Sequence, residues 1–256
     1  MKNHSGHTEG ENDTKMHHPP GGHDHEKMLE AAREEEPDLS DRVKVEERLG
    51  QKADLDTRFL DENGRSVRFG DLFGRPVVIL PIFFNCTAVC DFLQADLAQL
   101  LNQVDQVPGE DFTVVTFSFS DDENPSMAKN AKHNYSHILK RDFPLESWVY
   151  LTGDRENIRA LTDSLGYYFI KKDKDVYIHP SAMVVLAADG TITRYLYGPG
   201  FLPFDLGMAL AEADRGKTGA SIKRGVLSFC FDYDSEKKTY VFKLFRITGT
   251  LILVLL

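Results

Sequence analysis

The chain has 256 residues with a formal net charge of −10, and 41% of its residues are hydrophobic. This is enough to bury one sizeable core and leave tails. The acidic balance and the lack of a basic patch argue against a nucleic-acid partner. The three cysteines are too few for a disulfide framework.

The chain begins with a polar segment that contains six of the nine histidines, separated by Gly, Pro and acidic residues. Such a segment cannot form a core, so residues 1–26 are expected to be a disordered His-rich tail that can collect metal ions. Residues 27–52 are expected to be a charged linker. In this linker, Glu34-Glu35-Glu36-Pro37 predicts a solvated face and a helix break.

Residues 53–216 carry alternating strand and helix patterns and are expected to form one domain. The predicted strands are Thr57–Leu60, Ser66–Phe69, Arg75–Phe84, Phe112–Ser120, Trp148–Leu151, Ser181–Leu186 and Thr191–Leu196. The predicted helices are Cys90–Val104, 124–140, Glu156–Leu165 and Phe204–Arg215. Hairpin turns are predicted at Asp61-Glu62-Asn63-Gly64 and Ala187-Ala188-Asp189-Gly190. This order predicts an α/β protein with a mixed central sheet and helices on both faces.

Two cysteines, Cys86 and Cys90, lie where an apolar strand pattern gives way to a helix pattern. At this spacing on a helix their Cα atoms are about 6 Å apart on one face, within disulfide range. A helix N-terminus is expected to lower the pKa of a thiol, whereas the negative charge of Asp91 is expected to raise it. The pair could be redox-active, bind a soft metal ion, or pack as small hydrophobes. A dithiol at the first strand-to-helix turn is typical of a thioredoxin-like fold.

His179 precedes the strand of the closing hairpin, a junction that faces the dithiol turn in a thioredoxin-like fold. With two thiolates, its imidazole would make a three-ligand set suited to Cu(I). It could instead act as a base that activates a thiol, or be an ordinary surface-loop histidine. His133 and His137, four residues apart on a predicted helix, are expected to be ordinary exposed residues. Cys230 is expected to be a buried structural thiol.

Here the chain resembles the Sco/SenC family, thioredoxin-fold copper chaperones of cytochrome c oxidase assembly, as a divergent member in which Asp91 stands where Pro is usual. The resemblance covers roughly Ala53 to Arg215. It rests on Asn85-Cys86-Thr87-Ala88-Val89-Cys90, Phe117-Ser118-Phe119-Ser120-Asp121-Asp122-Glu123-Asn124-Pro125, His179 and the stretch from Asp189 to Gly198.

The resemblance implies copper as the metal, with Cys86, Cys90 and His179 as its ligands and the two cysteines as a redox-active dithiol. It also implies a partner, either the copper-bearing subunit of cytochrome c oxidase or a thiol reductase. Membrane association on the periplasmic side of a bacterial membrane is implied as well. The start of the chain shows no apolar signal-peptide core, so a leader is expected to have been removed or to lie upstream.

After residue 216 the pattern changes again. Residues 217–246 are expected to be a strand extension, with strands at Val226–Tyr233 and Thr239–Phe245. Residues 247–256 are apolar but shorter than the roughly 20 residues that span a bilayer, and they are expected to be a partial membrane anchor. Three functions fit the sequence: a copper-binding protein without enzymatic turnover, a thiol–disulfide oxidoreductase, and a membrane-tethered binding module with a structural dithiol.

Overall fold

The computed structural model describes residues 42–86, 89–140, 143–173, 176–218, 231–234 and 239–242. Within these ranges the helices α1 to α4 are Val89–Leu101, Pro125–Ser136, Arg155–Ser164 and Pro203–Asp214. The strands β1 to β13 are Lys44–Val45, Arg58–Asp61, Ser66–Arg68, Val77–Ile82, Thr113–Ser118, Trp148–Thr152, Tyr167–Tyr168, Ile170–Asp173, Val176–Ile178, Ala182–Leu186, Ile192–Tyr197, Phe231–Asp234 and Thr239–Phe242.

A seven-stranded sheet, in the order β11-β10-β4-β5-β6-β2-β3, forms the centre of the fold. The middle strands β4, β5 and β6 run parallel, and the flanking pairs are antiparallel. Every residue of β4 is buried, so both faces of the sheet are covered at its centre. The mixed sheet with its helices confirms the predicted α/β fold class.

The topology brings three chain segments to one edge of the sheet. The carboxyl ends of β4 and β5 lie side by side, with Ile82 opposite Ser118. Because β10 pairs antiparallel with β4, the start of β10 lies at the same edge as the end of β4. The loops after β4 and β5 and the segment before β10 therefore meet there, as expected for open α/β sheets, in which sites form at the carboxyl ends of strands.

Side-chain caps begin two of the helices. The Asn124 side chain accepts hydrogen bonds from the backbone N–H groups of Ser126 (3.0 Å) and Met127 (3.3 Å) at the start of α2. The Asp154 carboxylate accepts one from the backbone N–H of Asn157 (2.9 Å) at the start of α3. Each cap satisfies an N–H group that has no partner within its helix.

The structure differs from the sequence-based prediction at the end of α2 and before β10. The helix ends at Ser136 rather than near Lys140, because its last turn tightens: the N–H of Ile138 bonds to the carbonyl of Tyr135 at 3.1 Å. The sequence also did not predict the β8–β9 hairpin, which pairs Ile170 with Ile178 and precedes His179 directly.

The C-terminal predictions fall partly outside the described residues. Strands β12 and β13 pair antiparallel and overlap the two strands predicted here, Val226–Tyr233 and Thr239–Phe245. The rest of both predicted strands lies outside the described residues. Cys230, the His-rich segment 1–26 and the apolar segment 247–256 lie outside the described ranges. In the part of the chain that the structure describes, no helix is both long and apolar enough to cross a membrane.

Asp154→Ala should lower the free energy of unfolding by about 1 kcal/mol, because it removes the acceptor that caps α3. Hydrogen bonds from the backbone and side chain of Asn157 lower the pKa of the Asp154 carboxyl. The contribution of the cap is therefore complete above the ordinary pKa and is lost as the pH falls through the lowered one. Urea denaturation should show the loss in Asp154→Ala but not in Asp163→Ala, an exposed carboxyl of the same helix. Equal losses in both variants would contradict the cap.

Candidate metal and dithiol site

Cys90 and His179 are in direct contact at the shared edge of the sheet. The Sγ atom of Cys90, in the first turn of α1, lies 3.3 Å from Nε2 of His179, between β9 and β10. Cys86, in the loop after β4, is near enough for its thiol to affect the pKa of Cys90. Both thiols are free; Cys90 is fully buried and Cys86 is half-buried. The dithiol and the imidazole thus form one cluster.

The hydrogen bonds of His179 determine which ring nitrogen carries the proton. Its Nδ1 lies 2.9 Å from the carbonyl oxygen of Pro180 and 3.2 Å from the hydroxyl oxygen of Tyr167. The Tyr167 hydroxyl itself donates to the Pro180 carbonyl at 2.5 Å. Because a carbonyl can only accept, the neutral ring carries its proton on Nδ1. The lone pair of Nε2 therefore faces the Cys90 sulfur.

Aromatic side chains surround the imidazole and exclude water from one side of the site. The ring of Phe119, in the loop after β5, lies 5.0 Å from the His179 ring. Phe169, directly before β8, and Tyr177, in β9, pack on Phe119 with ring centroids 4.7 Å and 5.4 Å away. These contacts restrict rotation of the imidazole and keep Nε2 directed at the sulfur.

A buried carboxylate holds the loop that leads to Cys86. Glu123 is 7% exposed and accepts hydrogen bonds from the backbone N–H groups of Phe84 (2.9 Å) and Asn85 (2.7 Å). It also accepts one from the Ser118 hydroxyl at 2.5 Å. Since Ser118 ends β5, this carboxylate ties the loop after β4 to the strand beside it. The position of Cys86 therefore depends on a residue that is not itself a ligand candidate.

Sequence reasoning missed the role of Glu123. It noted Asp121, Asp122 and Glu123 as part of the family resemblance, but three adjacent acids look alike in a sequence. In the structure Asp121 and Asp122 pair with the surface cations Arg155 and Lys171, and Glu123 alone of the three is buried. One sequence signal pointed to Glu123: the helix start at Asn124-Pro125 follows it directly and fixes the backbone conformation next to Glu123.

Burial controls the protonation of Cys90. Its pKa is raised well above the usual value, first by burial and then by the neighbouring Cys86 thiol, with a smaller contribution from Glu123. The expectation that the helix N-terminus lowers the pKa is wrong for Cys90, because desolvation outweighs it. Asp91, expected to raise thiol pKa values, accepts a hydrogen bond from the Tyr135 hydroxyl at 2.8 Å.

The three side chains have suitable chemistry for a soft metal ion but are not yet arranged as a closed site. Thiolate sulfur and imidazole nitrogen are the ligands that Cu(I) prefers. Within the described residues, however, no group of three or more Cys, His, Asp or Glu side chains is arranged to hold a metal ion. Cys90 and His179 are in contact, and the Cys86 thiol interacts with Cys90.

This fold and dithiol define the class of the protein: a thioredoxin-like domain with a Cys-x-x-x-Cys pair at the first strand-to-helix turn of its parallel strands. The model of the SCO1/SenC family matches residues 46–199, more than half of the chain. The chain therefore belongs to the SCO1/SenC family, which confirms the resemblance drawn from its motifs.

Solved structures similar to this chain include a putative electron transfer protein from Aquifex aeolicus VF5, with 25% identity and a TM-score of 0.60 over 67% of this chain and 97% of that chain. Arabidopsis thaliana ScoI with copper bound has 17% identity and a TM-score of 0.52, and the match covers 62% of this chain and 96% of that chain. BsSco has 20% identity and a TM-score of 0.55, and the match covers 70% of this chain and 100% of that chain. It is described as a member of the Sco family of cytochrome c oxidase assembly proteins with a disulfide switch. The last two show a shared fold. No curated protein matches the chain by sequence.

Glu123→Gln should lower the free energy of unfolding by about 1–3 kcal/mol, because an amide cannot replace all three accepted hydrogen bonds and leaves a buried donor unpaired. It should also loosen the loop, so that Cys86 reacts faster with a thiol reagent. The matched control is Asp122→Asn in the same loop, since the Asp122 side chain is 57% exposed and its surface pair is worth at most about 1 kcal/mol. If both variants behave alike, Glu123 does not position the loop.

The His179 ring in reduced, metal-free protein should titrate with a pKa below its usual value of 6.5, because burial disfavours the imidazolium. The unfolded chain then takes up this proton first, so the free energy of unfolding falls as the pH drops below about 6.5. NMR titration gives the pKa and the tautomer, and His179→Gln should remove this part of the acid sensitivity. A pKa at or above 6.5, or a proton on Nε2 of the neutral ring, would contradict the geometry.

Proposed function

We propose that this protein binds one copper ion through Cys86, Cys90 and His179 and passes copper or electrons to the copper-bearing subunit of cytochrome c oxidase. The observation that supports it most directly is the 3.3 Å contact between Cys90 Sγ and the His179 Nε2. A soft sulfur ligand and an unprotonated imidazole nitrogen already face each other there. Membership of the SCO1/SenC family supports the same role.

The protonation of the site favours metal binding over free thiolate chemistry. Burial raises the pKa of Cys90, so its sulfur is protonated at neutral pH, and a bound copper ion must displace that proton. His179 needs no such displacement, because burial lowers its pKa and leaves the ring neutral. Copper binding therefore releases a proton from Cys90 and none from His179.

A thiol–disulfide oxidoreductase is the second candidate, because the same two cysteines could exchange with a partner disulfide. Cys86 would then be the attacking thiol, since Cys90 is fully buried and the pKa of its thiol is raised. BsSco, a relative in fold, is described as having a disulfide switch. We place this chemistry second, because a contact between one cysteine and an imidazole lone pair serves metal binding more directly.

We also propose that the protein acts on the periplasmic side of a bacterial membrane and is associated with that membrane. The support is family membership together with the resemblance of residues 53–215 to proteins that are usually tethered there. A thiol reductase is the expected second partner, because the dithiol must be reduced before it can accept Cu(I).

Reduced protein should bind one Cu(I) ion and keep it in the presence of a competing Cu(I) chelator. The chelator is chosen to be strong enough to remove Cu(I) from the histidines of segment 1–26. Cys86→Ser and Cys90→Ser should each abolish this binding, because one thiolate and one imidazole do not hold Cu(I) against such a competitor. His179→Ala should weaken it while leaving the two sulfurs able to bind. Anaerobic titration with the chelator present measures all three.

Cys230→Ser is the matched control, and it should bind copper as the wild type does. Retention of tight, stoichiometric Cu(I) by both Cys86→Ser and Cys90→Ser would overturn the ligand assignment. Insulin-disulfide reduction separates the two candidate functions: fast turnover by the copper-free protein would favour the oxidoreductase.

A further inference from the structure

The C-terminal end of α2 carries two exposed histidines, one in its last turn and one at its C-cap, whose ring nitrogens face each other. His133 and His137 lie one helical turn apart, and their Nε2 atoms are 3.2 Å apart. Their rings meet edge to face, with centroids 4.5 Å apart and an angle of 82° between the planes. The pair is separate from the Cys90–His179 contact, and the proposed function makes no use of it.

The spacing of the two nitrogens matches the geometry of a metal chelate. Imidazole nitrogens bind late first-row metal ions at about 2.0–2.1 Å. Two such ligands at an angle between square-planar and tetrahedral are therefore about 2.8–3.4 Å apart. The observed 3.2 Å lies inside this interval. A proton shared between the two rings would give a similar distance, so the test must distinguish the two cases.

The position of the pair on α2 also suits a cation. His133 lies in the last turn and His137 is the C-cap, where unpaired carbonyl groups and the macrodipole favour positive charge. The helix beneath them is held to the sheet by the Lys132–Glu62 ion pair, in which each side chain is 13% exposed. Both imidazoles are thus presented by a fixed piece of backbone, which lowers the entropy cost of chelation.

We propose that His133 and His137 form a second, exposed metal site that takes a divalent late first-row ion, Cu(II) in preference to Ni(II) or Zn(II). Imidazole suits these ions, and the order follows their general affinity for nitrogen ligands. Within the described residues, no third Cys, His, Asp or Glu joins the pair to make a larger metal-holding group. The remaining coordination positions are taken by water or a small ligand, so bound metal exchanges readily with solution.

The test uses the full chain carrying Cys86→Ser, Cys90→Ser and Cys230→Ser, so that no cysteine thiol is left to reduce the probe. Substoichiometric Cu(II)–iminodiacetate is added, because this complex leaves adjacent positions for two imidazoles. Paramagnetic broadening of amide NMR signals then locates the ion and separates α2 from the histidines of segment 1–26. Broadening should centre on residues 130–139, and His133→Gln should weaken binding there roughly 10-fold to 100-fold, since chelation is lost.

The signature of a chelate is that His137→Gln loses as much affinity as His133→Gln does, and that the double variant removes only the weak binding that a single imidazole retains. Independent surface histidines would instead give two small and additive losses, which would overturn the proposal. Broadening confined to segment 1–26 would also overturn it. The wild-type chain with Cu(I) already bound gives a second measurement: Zn(II) should shift the ring signals of both His133 and His137 together.

Discussion

The antiparallel pairing of β10 with β4 is the constraint on which the site depends. It joins Val184 to Ile79 and Leu186 to Val77 in a fully buried part of the sheet. A slip in this register by one residue would move every side chain of β10 to the opposite packed face of the sheet, so the pairing is strongly determined. The start of β10 is thereby fixed beside the end of β4, and the imidazole that precedes β10 meets the thiol that follows β4. Hydrophobic packing thus brings together candidate site residues that are distant in sequence.

The same packing sets the chemistry of the site. A thiol in a dry environment resists ionisation, and an imidazole in that environment resists protonation. Cys90 and His179 consequently face each other as neutral groups. The loop to Cys86 is held separately by the Glu123 side chain, which accepts hydrogen bonds from Phe84 and Asn85. A soft cation would stabilise the thiolate form of a buried cysteine, because its positive charge offsets the cost of burying the negative sulfur.

Much of this arrangement could be predicted from the sequence, for identifiable reasons. The apolar run of β4, the Asp-Gly and Asn-Gly turns and the dithiol at a strand-to-helix junction each carry a local signal, and they fixed the fold class and drew attention to Cys86, Cys90 and His179. Other features depend on tertiary contacts. The β8–β9 hairpin contains Lys171-Lys172-Asp173, which has no apolar alternation. The burial of Glu123 and the raised pKa of Cys90 arise from packing that local sequence does not encode.

Tyr167 connects the candidate site to β1. Its backbone pairs with Val45 of β1, the first strand of the described chain, while its hydroxyl contacts Nδ1 of His179 and the carbonyl of Pro180. One residue thus pairs with β1 through its backbone and contacts the His179 imidazole through its side chain. A mechanical load that separated Lys44–Val45 from Tyr167 would therefore disturb the hydrogen bonds at His179 Nδ1, because one residue joins β1 to the imidazole.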